Sequence, residues 1–323
     1  MTMERLLDLL SDGSFHSGRA LGEALGVSRS AVWKQMQRLQ ELGVEIYSVK
    51  GRGYRVPGGL DLLDQAHFTA LLSEPARERL AEIAFAPEVA STNEVALSAL
   101  GRGVRSGLYA AEYQSQGRGR RGRSWLSPYG SNLYFSLAWR FSAGVAGLEG
   151  LSLAVGLAIK DALARSGVHD IKLKWPNDLL WEGCKLGGVL IELSGDASGE
   201  CEVVIGVGLN VRLGHDQKQV IDQPATDLVR LMGQAPARNE LLALLVDELV
   251  AMIIRFENAG FSSLRERWQA ANAHHDKAVR LIAGAHEVRG ICRGVDDSGA
   301  LLVETDTGIQ AFHGGEISVR AQE

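Results

Sequence analysis

The residues of this 323-residue chain best equipped for chemistry are mostly cationic, and they gather in three short stretches. GRGRRGRSW (117–125) sets Arg118, Arg120, Arg121 and Arg123 among Gly117, Gly119 and Gly122. Glycine admits backbone shapes that other residues resist and lets a ligand come close. Guanidinium forks suit phosphates and carboxylates. KWPND (174–178) breaks at Pro176 and presents Asn177 and Asp178. CKLGGVLIE (184–192) puts Lys185 ahead of Gly187-Gly188 at a strand entrance, where an ammonium can neutralise a phosphate as a point charge. Asp178 can hold Mg²⁺ or orient that lysine. The chemistry these predict is the holding of anions.

Two further stretches belong with them. VVIGVGLN (203–210) carries Gly206 and Gly208 inside a strand, which weakens it unless something packs on the bare backbone. Ser91-Thr92-Asn93-Glu94 opens a helix, and by itself reads as a capping box between Ser91 and Glu94.

Several site types are excluded. Gly117, Gly119 and Gly122 spell G-x-G-x-x-G, but a dinucleotide turn must open a helix, and Pro128 and Gly130 stand where that helix would run. There is no G-x-x-x-x-G-K-[ST]. Cys184, Cys201 and Cys292 are far apart and form no C-x-x-C, which fits a reducing compartment and argues against a thiolate metal site; Cys184 reads as incidental. His274-His275 reads as a surface or interdomain pair. The first apolar run contains acids, unlike a signal peptide. The long apolar run from Leu241 carries Asp247 and Glu248 and reads as a buried helix, not a membrane span. A cytoplasmic protein is expected.

Elements must position these groups. The net charge is −5, yet residues 1–60 hold eight Lys/Arg against six Asp/Glu. A basic module on an acidic body points to a local nucleic-acid contact. Ser17 and Ser28 can cap two helices, and Gly26 can end the first of them. Val32, Met36 and Leu39 recur at helical spacing and face a core. VEIYSV and GYRV alternate like strands around the tip Lys50-Gly51-Arg52-Gly53. That is the plan of a winged helix-turn-helix, with Ser28, Arg29, Ser30, Lys34 and Arg38 on the reading helix and Arg52 on the wing. Residues 57–65 read as a linker. YAAEY, NLYFSLAW, IKLKW, GVLIEL and CEVVIGVGL read as strands, 148–165 and 239–257 as helices. From 277, short alternating strands predict a small barrel.

Taken together, STN, EYQSQGRGRRGRSW, KWPNDL, KLGGVLIE, GVGLN and the terminal GGEISVR resemble the bacterial bifunctional biotin–protein ligase and biotin operon repressor family, across essentially the whole chain. The resemblance implies an α+β protein: a winged helix-turn-helix over 1–62, a mixed α/β ligase domain over 63–272 and an SH3-like β-barrel over 273–323. It implies formation of biotinyl-5′-AMP from biotin and ATP with Mg²⁺, then transfer to a lysine of the biotin carboxyl carrier protein of acetyl-CoA carboxylase. Lys185, Asp178 and Arg120 would serve catalysis, with Asp178 near the metal or the attacking amine. Ser91, Thr92, Asn93, Gln114, Arg118, Gly119, Arg120, Trp125, Lys185, Gly188 and Gly206 would bind biotin. Arg118, Arg120, Arg121, Lys174, Trp175, Asn177, Asn210 and Arg320 would bind the nucleotide. Operator DNA and a homodimer promoted by the adenylate would follow, with the arginine loop and residues 194–199 ordering on binding. One departure stands out: residues 211–230, where relatives carry an aromatic against adenine, contain none. A biotin-sensing regulator without catalysis and a lipoate–protein ligase are the competing readings.

Overall fold

The computed structural model of the chain describes residues 2–142, 144–195, 199–283, 286–314 and 317–321. Three helices open it: α1 (Thr2–Leu10), α2 (Gly18–Leu25) and α3 (Arg29–Glu41). Their ends are written locally. Ser17 Oγ accepts from the Ala20 amide at 3.0 Å and Ser28 Oγ from the Ala31 amide at 3.2 Å. Gly26 closes α2 at φ 66°, in the left-handed region. Leu6, Leu10, Leu21, Val32, Met36 and Leu39 share one buried cluster. The hairpin β1 (Tyr47–Val49) and β2 (Gly53–Arg55) completes the winged helix-turn-helix.

The central domain follows as α4 (Gln65–Leu71), α5 (Glu74–Arg79), β3 (Glu82–Ala86), α6 (Thr92–Gly101), β4 (Ser106–Ala111), β5 (Leu133–Phe141), α7 (Leu151–Arg165), β6 (Lys172–Lys174), β7 (Asp178–Trp181), β8 (Cys184–Gly195), β9 (Cys201–Leu209), α8 (His215–Val220), α9 (Leu228–Met232), α10 (Arg238–Ala259) and α11 (Arg265–Ala271). Its seven strands lie in the order β3-β4-β5-β9-β8-β7-β6, antiparallel except for the β3–β4 pair.

Period-two alternation separates the two faces of this sheet. Leu133, Phe135, Leu137, Val203, Ile205 and Val207 point to the face covered by α7 and α10, and form the main core. The opposite face carries α6, seated on Tyr109, Ala138 and Val204. There the strand residues are small. Ser136 pairs in register with Gly206, and Gly188 with Gly208. A shallow floor therefore runs beside the start of α6.

Strands β10 (Ala278–Ala283), β11 (His286–Val295), β12 (Leu301–Thr305), β13 (Gly308–Phe312) and β14 (Ile317–Ala321) form the C-terminal antiparallel sheet, in the order β13-β12-β11-β10-β14. This small antiparallel β domain stands where the C-terminal barrel was expected, with β13 and β14 as the outer strands of the described order. Val279, Leu281, Val295, Val303 and Val319 extend the main core, so this sheet shares its interior with the central domain.

The winged module is also seated firmly. Leu60 and Leu62 pack with its core, as does Tyr129 of the central domain, whereas Leu63 packs with the main core. Arg238, 3% exposed, donates to the Asp61 and Asn132 carbonyls at 2.6 and 2.7 Å and pairs with Glu112 at 2.8 Å. Arg212 donates to the Pro57 carbonyl at 3.0 Å, and Gln217 of α8 to the Gly43 carbonyl at 2.9 Å.

Three sequence expectations shift. The strand read at 109–113 lies at Ser106–Ala111. The strand expected at GVLIEL begins earlier, at Cys184. Ser91 occupies the N-cap of α6, but its side chain makes no capping bond. Glu94 pairs instead with Arg118, at 3.1 Å.

Candidate active site

Above the glycine floor lies a cavity of about 760 Å³. It brings together every residue expected at the biotin and nucleotide sites except Arg320. At its inner end is a polar cluster held by the start of α6. The Thr92 amide and hydroxyl donate to Gln114 Oε1 at 2.9 and 3.2 Å, and Gln114 Nε2 donates to Ser127 Oγ at 3.1 Å. Ser136 Oγ lies 2.7 Å from Thr92 Oγ1 and 2.6 Å from Asn93 Oδ1. Asn93 Nδ2 donates to Glu192 Oε2 at 2.6 Å. Ser91, Thr92, Asn93 and Ser136 are all buried, and the Thr92, Asn93 and Ser136 side chains, desolvated in advance, bond one another and Gln114 or Glu192. Ser136 and Glu192 were not singled out from the sequence. The available signal was a serine alternating with large apolar residues in NLYFSLAW.

The glycines earn their place by close approach. A Cβ on Gly206 would collide with the Asn93 carboxamide, and one on Gly208 with the Trp125 indole. Trp125 thus packs against the bare backbone of the floor, and its buried indole N–H has no partner among the described residues.

The outer end is cationic. Lys185 Nζ sits 2.7 Å from Asp178 Oδ1 and 5.4 Å from the centre of the Trp125 ring. Lys174 stands 3.9 Å from the same carboxylate. Register explains the grouping: Asp178 pairs with Gly188 across β7–β8, and a bulge between Leu179 and Leu180 turns Lys185 toward it. Burial lowers the Lys174 pKa; Asp178 opposes that, and Lys185, Arg320 and Arg123 add to it. Burial likewise lowers that of Arg120, whose guanidinium is 3.5 Å from Asn177 Oδ1. Arg320 is exposed on β14 and acts on Lys174 as part of the surrounding positive field.

The arginine loop folds on itself. The Gly119 amide donates to the Arg123 carbonyl and the Trp125 amide to that of Gly117, both at 2.7 Å. Arg121 adopts φ 59° within a short 3₁₀ turn. Arg118 faces Glu94 and Glu192, at 3.1 and 4.0 Å. Arg121 and Arg123 remain exposed. The segment 194–199, also expected to order on binding, lies partly outside the described residues, at 196–198.

Three nucleotide-site candidates double as braces. The Trp175 indole donates to the Gly299 carbonyl at 3.0 Å and anchors the C-terminal sheet. Asn177 exchanges two bonds with Val189, at 2.7 and 2.9 Å. Asn210 Nδ2 donates to the Thr226 carbonyl at 3.1 Å, holding the strand end against 224–226. Val220, the last residue of α8, and Ile221 line the cavity from the segment where an aromatic was lacking.

Asp178, expected near a metal, stands among cations here. Its carboxylate is already shared between two ammonium groups, and no cluster of three His, Cys, Asp or Glu suited to a metal exists among the described residues. His274 is half-buried and His275 exposed. On the winged module, Arg29, Ser30 and Lys34 stand exposed on α3. The Arg52 guanidinium stacks 4.1 Å above the Phe15 ring, with that of Arg55 at 5.7 Å. Arg38 is exposed as well and reaches Glu88 of the central domain at 3.6 Å.

A basic winged module fixed beside an anion-holding pocket defines a ligase-type catalytic domain joined to a helix-turn-helix. The biotin/lipoate A/B protein ligase family matches residues 89–210, a helix-turn-helix domain family 2–55, and the biotin protein ligase C-terminal domain family 274–320. The bifunctional ligase/repressor BirA of Salmonella typhimurium is 41% identical over 98% of this chain and 97% of its own length. That of Escherichia coli is 39% identical over 99% and 97%. The biotin protein ligase of Aquifex aeolicus, solved with biotin and ATP, superposes with a TM-score of 0.64 at 28% identity, over 75% of this chain and all of that one. The chain belongs to the family of bifunctional biotin–protein ligase/repressors.

Proposed function

We propose that the protein couples biotin to ATP, transfers the biotinyl group to a lysine of the biotin carboxyl carrier protein, and in its adenylate-bound state represses transcription by binding operator DNA. The observation that carries the catalytic reading is the Lys185–Asp178 pair at the cationic end of a glycine-floored pocket whose other end is polar and uncharged at its tip. An uncharged ureido ring needs a few fixed polar partners at the end of an otherwise apolar slot. Thr92, Asn93 and Gln114 line the cavity and supply them, with Ser136 holding Thr92 and Asn93 from behind, which favours biotin over the apolar dithiolane of lipoate.

In the first step a biotin carboxylate oxygen attacks the α-phosphorus of ATP. The bond to the bridging oxygen breaks and pyrophosphate leaves with its electron pair. Both reactants are anions, so much of the barrier is repulsion. Lys185, Lys174 and Arg120 offset it with fixed positive charge in a partly desolvated site. Asp178 holds Lys185 in place. Magnesium, which the residues here give no preformed seat, would enter on the triphosphate. In the second step a neutral carrier lysine amine attacks the acyl carbon, AMP leaves, and the amine loses a proton. Asp178 is the nearest carboxylate able to orient that amine. Trp125 and the folded arginine loop cover the anhydride against water.

The dimer is supported by an open edge. β7 pairs with β8 through Cys184–Gly188 and Asn177 bonds Val189, leaving 190–195 without a strand neighbour on that side among the described residues. Leu193 there is 44% exposed. An unpaired edge is a template for a second copy, and its residue Glu192 touches Asn93 in the pocket. A coupling of ~1–3 kcal/mol between ligand and dimer is typical. The three thiols are free, which supports a reducing, cytoplasmic setting.

Purified protein, ATP, Mg²⁺, labelled biotin and a carrier fragment test the reading. Label should appear on one carrier lysine, and lipoate should not compete. Lys185→Met should lower adenylate formation by at least ~100-fold, the scale of losing one preorganised charge-stabilising group. Equal labelling by wild type and variant would remove Lys185 from the chemistry. No labelling by wild type would leave a regulator without catalysis.

A further inference from the structure

On α3 the buried side is Val32, Met36 and Leu39. The side turned away from the core carries Arg29, Ser30, Lys34 and Gln37, all exposed, and in their midst Trp33 with 52% of its surface in solvent. The indole at that position lies outside the buried cluster of the module. It is the largest exposed apolar side chain of the helix, and a stripe covered only by water gains nothing from it. Its neighbourhood says what covers it. Residues 29–40 contain no Asp or Glu. The wing adds Arg52 and Arg55, held on Phe15 at 4.1 and 5.7 Å. An apolar plane ringed by cations, on the second helix of a helix-turn-helix, complements a polyanion that also offers apolar contacts in a groove. The major groove of B-DNA is that surface, and the apolar group exposed there is the thymine C5 methyl.

We propose that Trp33 is a base-reading residue: its indole covers a thymine methyl in each half-site, while Arg29, Lys34, Arg52 and Arg55 hold the flanking phosphates. This rests on the operator-binding reading above and refines it to a single position. Phosphate contacts bind any sequence; the indole makes the module choose one. The placement fits docking by the first two turns of a reading helix, because Trp33 is the fifth residue of α3. Arg38, one turn beyond Lys34 on α3, is also exposed and sits 3.6 Å from Glu88.

The test uses full-length protein with biotin and ATP. Duplexes are enriched from a random library by wild type, and the enriched duplex is compared with a scrambled one of equal length. Each thymine of the enriched site is then replaced by deoxyuridine, which removes one methyl group. For wild type, one symmetry-related thymine should weaken binding by about fourfold when so replaced, the worth of one buried methyl group. Trp33→Ala should bind the enriched duplex about tenfold more weakly, keep its affinity for scrambled DNA within about twofold with the same salt slope, and be indifferent to deoxyuridine at that position. Carrier biotinylation should be unchanged. If wild type tolerates deoxyuridine at every thymine, Trp33 reads no methyl and the inference fails, whatever the variant does. If Trp33→Ala loses affinity equally for both duplexes, Trp33 is a general contact and the inference fails. A wild type that enriches no sequence overturns the operator-binding reading, and this inference with it.

Discussion

Lys174 and Lys185 share Asp178, but they are placed differently. Lys185 is in direct contact with the carboxylate at 2.7 Å, whereas Lys174 is 3.9 Å away and its pKa is lowered by burial. A bound triphosphate favours the charged amine. The free protein must therefore hold a proton on Lys174 or take one up on binding. As pH rises through the lowered pKa, that charge is lost below the ordinary lysine value of 10.5. We expect KM for ATP to climb at alkaline pH while KM for biotin stays level. Lys174→Arg, which keeps its charge, should flatten the climb. Initial rates across the alkaline range check this. At this scale much was legible. Lysine before a glycine pair and arginines among glycines announce anion binding by residue type alone. What could not be read was the partner of each charge. Arg118 with Glu94, Arg38 with Glu88, and Ser91 without its capping bond are decided by which strands and loops meet in space, not by local spacing.

The strands do their work by what they leave out. Ser136, Gly188, Gly206 and Gly208 are the small residues of adjacent strands on one face, and the ligand space is the volume they do not fill. Gly206→Ala would push a methyl into the Asn93 carboxamide. Overpacking of this kind costs about 1–3 kcal/mol. Asn93 would lose its bonds to Ser136 and Glu192, so KM for biotin should rise ~3–10-fold per hydrogen bond lost, with KM for ATP little changed. Isothermal titration with biotin, alongside a melting curve, separates lost affinity from lost fold. Glycines inside an apolar strand were readable as close-approach positions because nothing else explains them there. β3 and β7 were not readable: each is short and half covered, and each owes its existence to neighbouring strands. Helix caps at Ser17, Ser28 and Gly26 were readable because capping is settled within four residues.

The three units are joined by buried polar contacts. At the C-terminal joint the Ala273 amide meets the Leu173 carbonyl at 2.8 Å, and beside it His274 has a pKa lowered to about 4, first by burial and then by Lys174 and Lys277. The unfolded chain takes up this proton near 6.5 and the folded chain only near 4, so the unfolded state binds more protons between those values. The contribution to stability is complete above 6.5 and is lost progressively as pH falls toward 4. His274→Gln should make the melting temperature less sensitive across that window; an unchanged acid slope would show that His274 does not carry it. Neither this joint nor the other was visible in the sequence, where His274-His275 read only as an interdomain or surface pair.

The clasp of Arg238 on Asp61, Asn132 and Glu112 bears on how the protein measures DNA. A reading head on a slack tether could slide to meet half-sites at many separations. Here the tether itself is bolted, because loosening Arg238 would strand a buried charge at a cost of about 3–5 kcal/mol. In the proposed dimer, two such heads would act as the jaws of a fixed calliper. Inserting or deleting one base pair at the centre of the enriched site should therefore abolish tight binding. Arg238→Met should restore tolerance to the altered gauge and weaken binding at the original one, measured by gel shift on the three lengths.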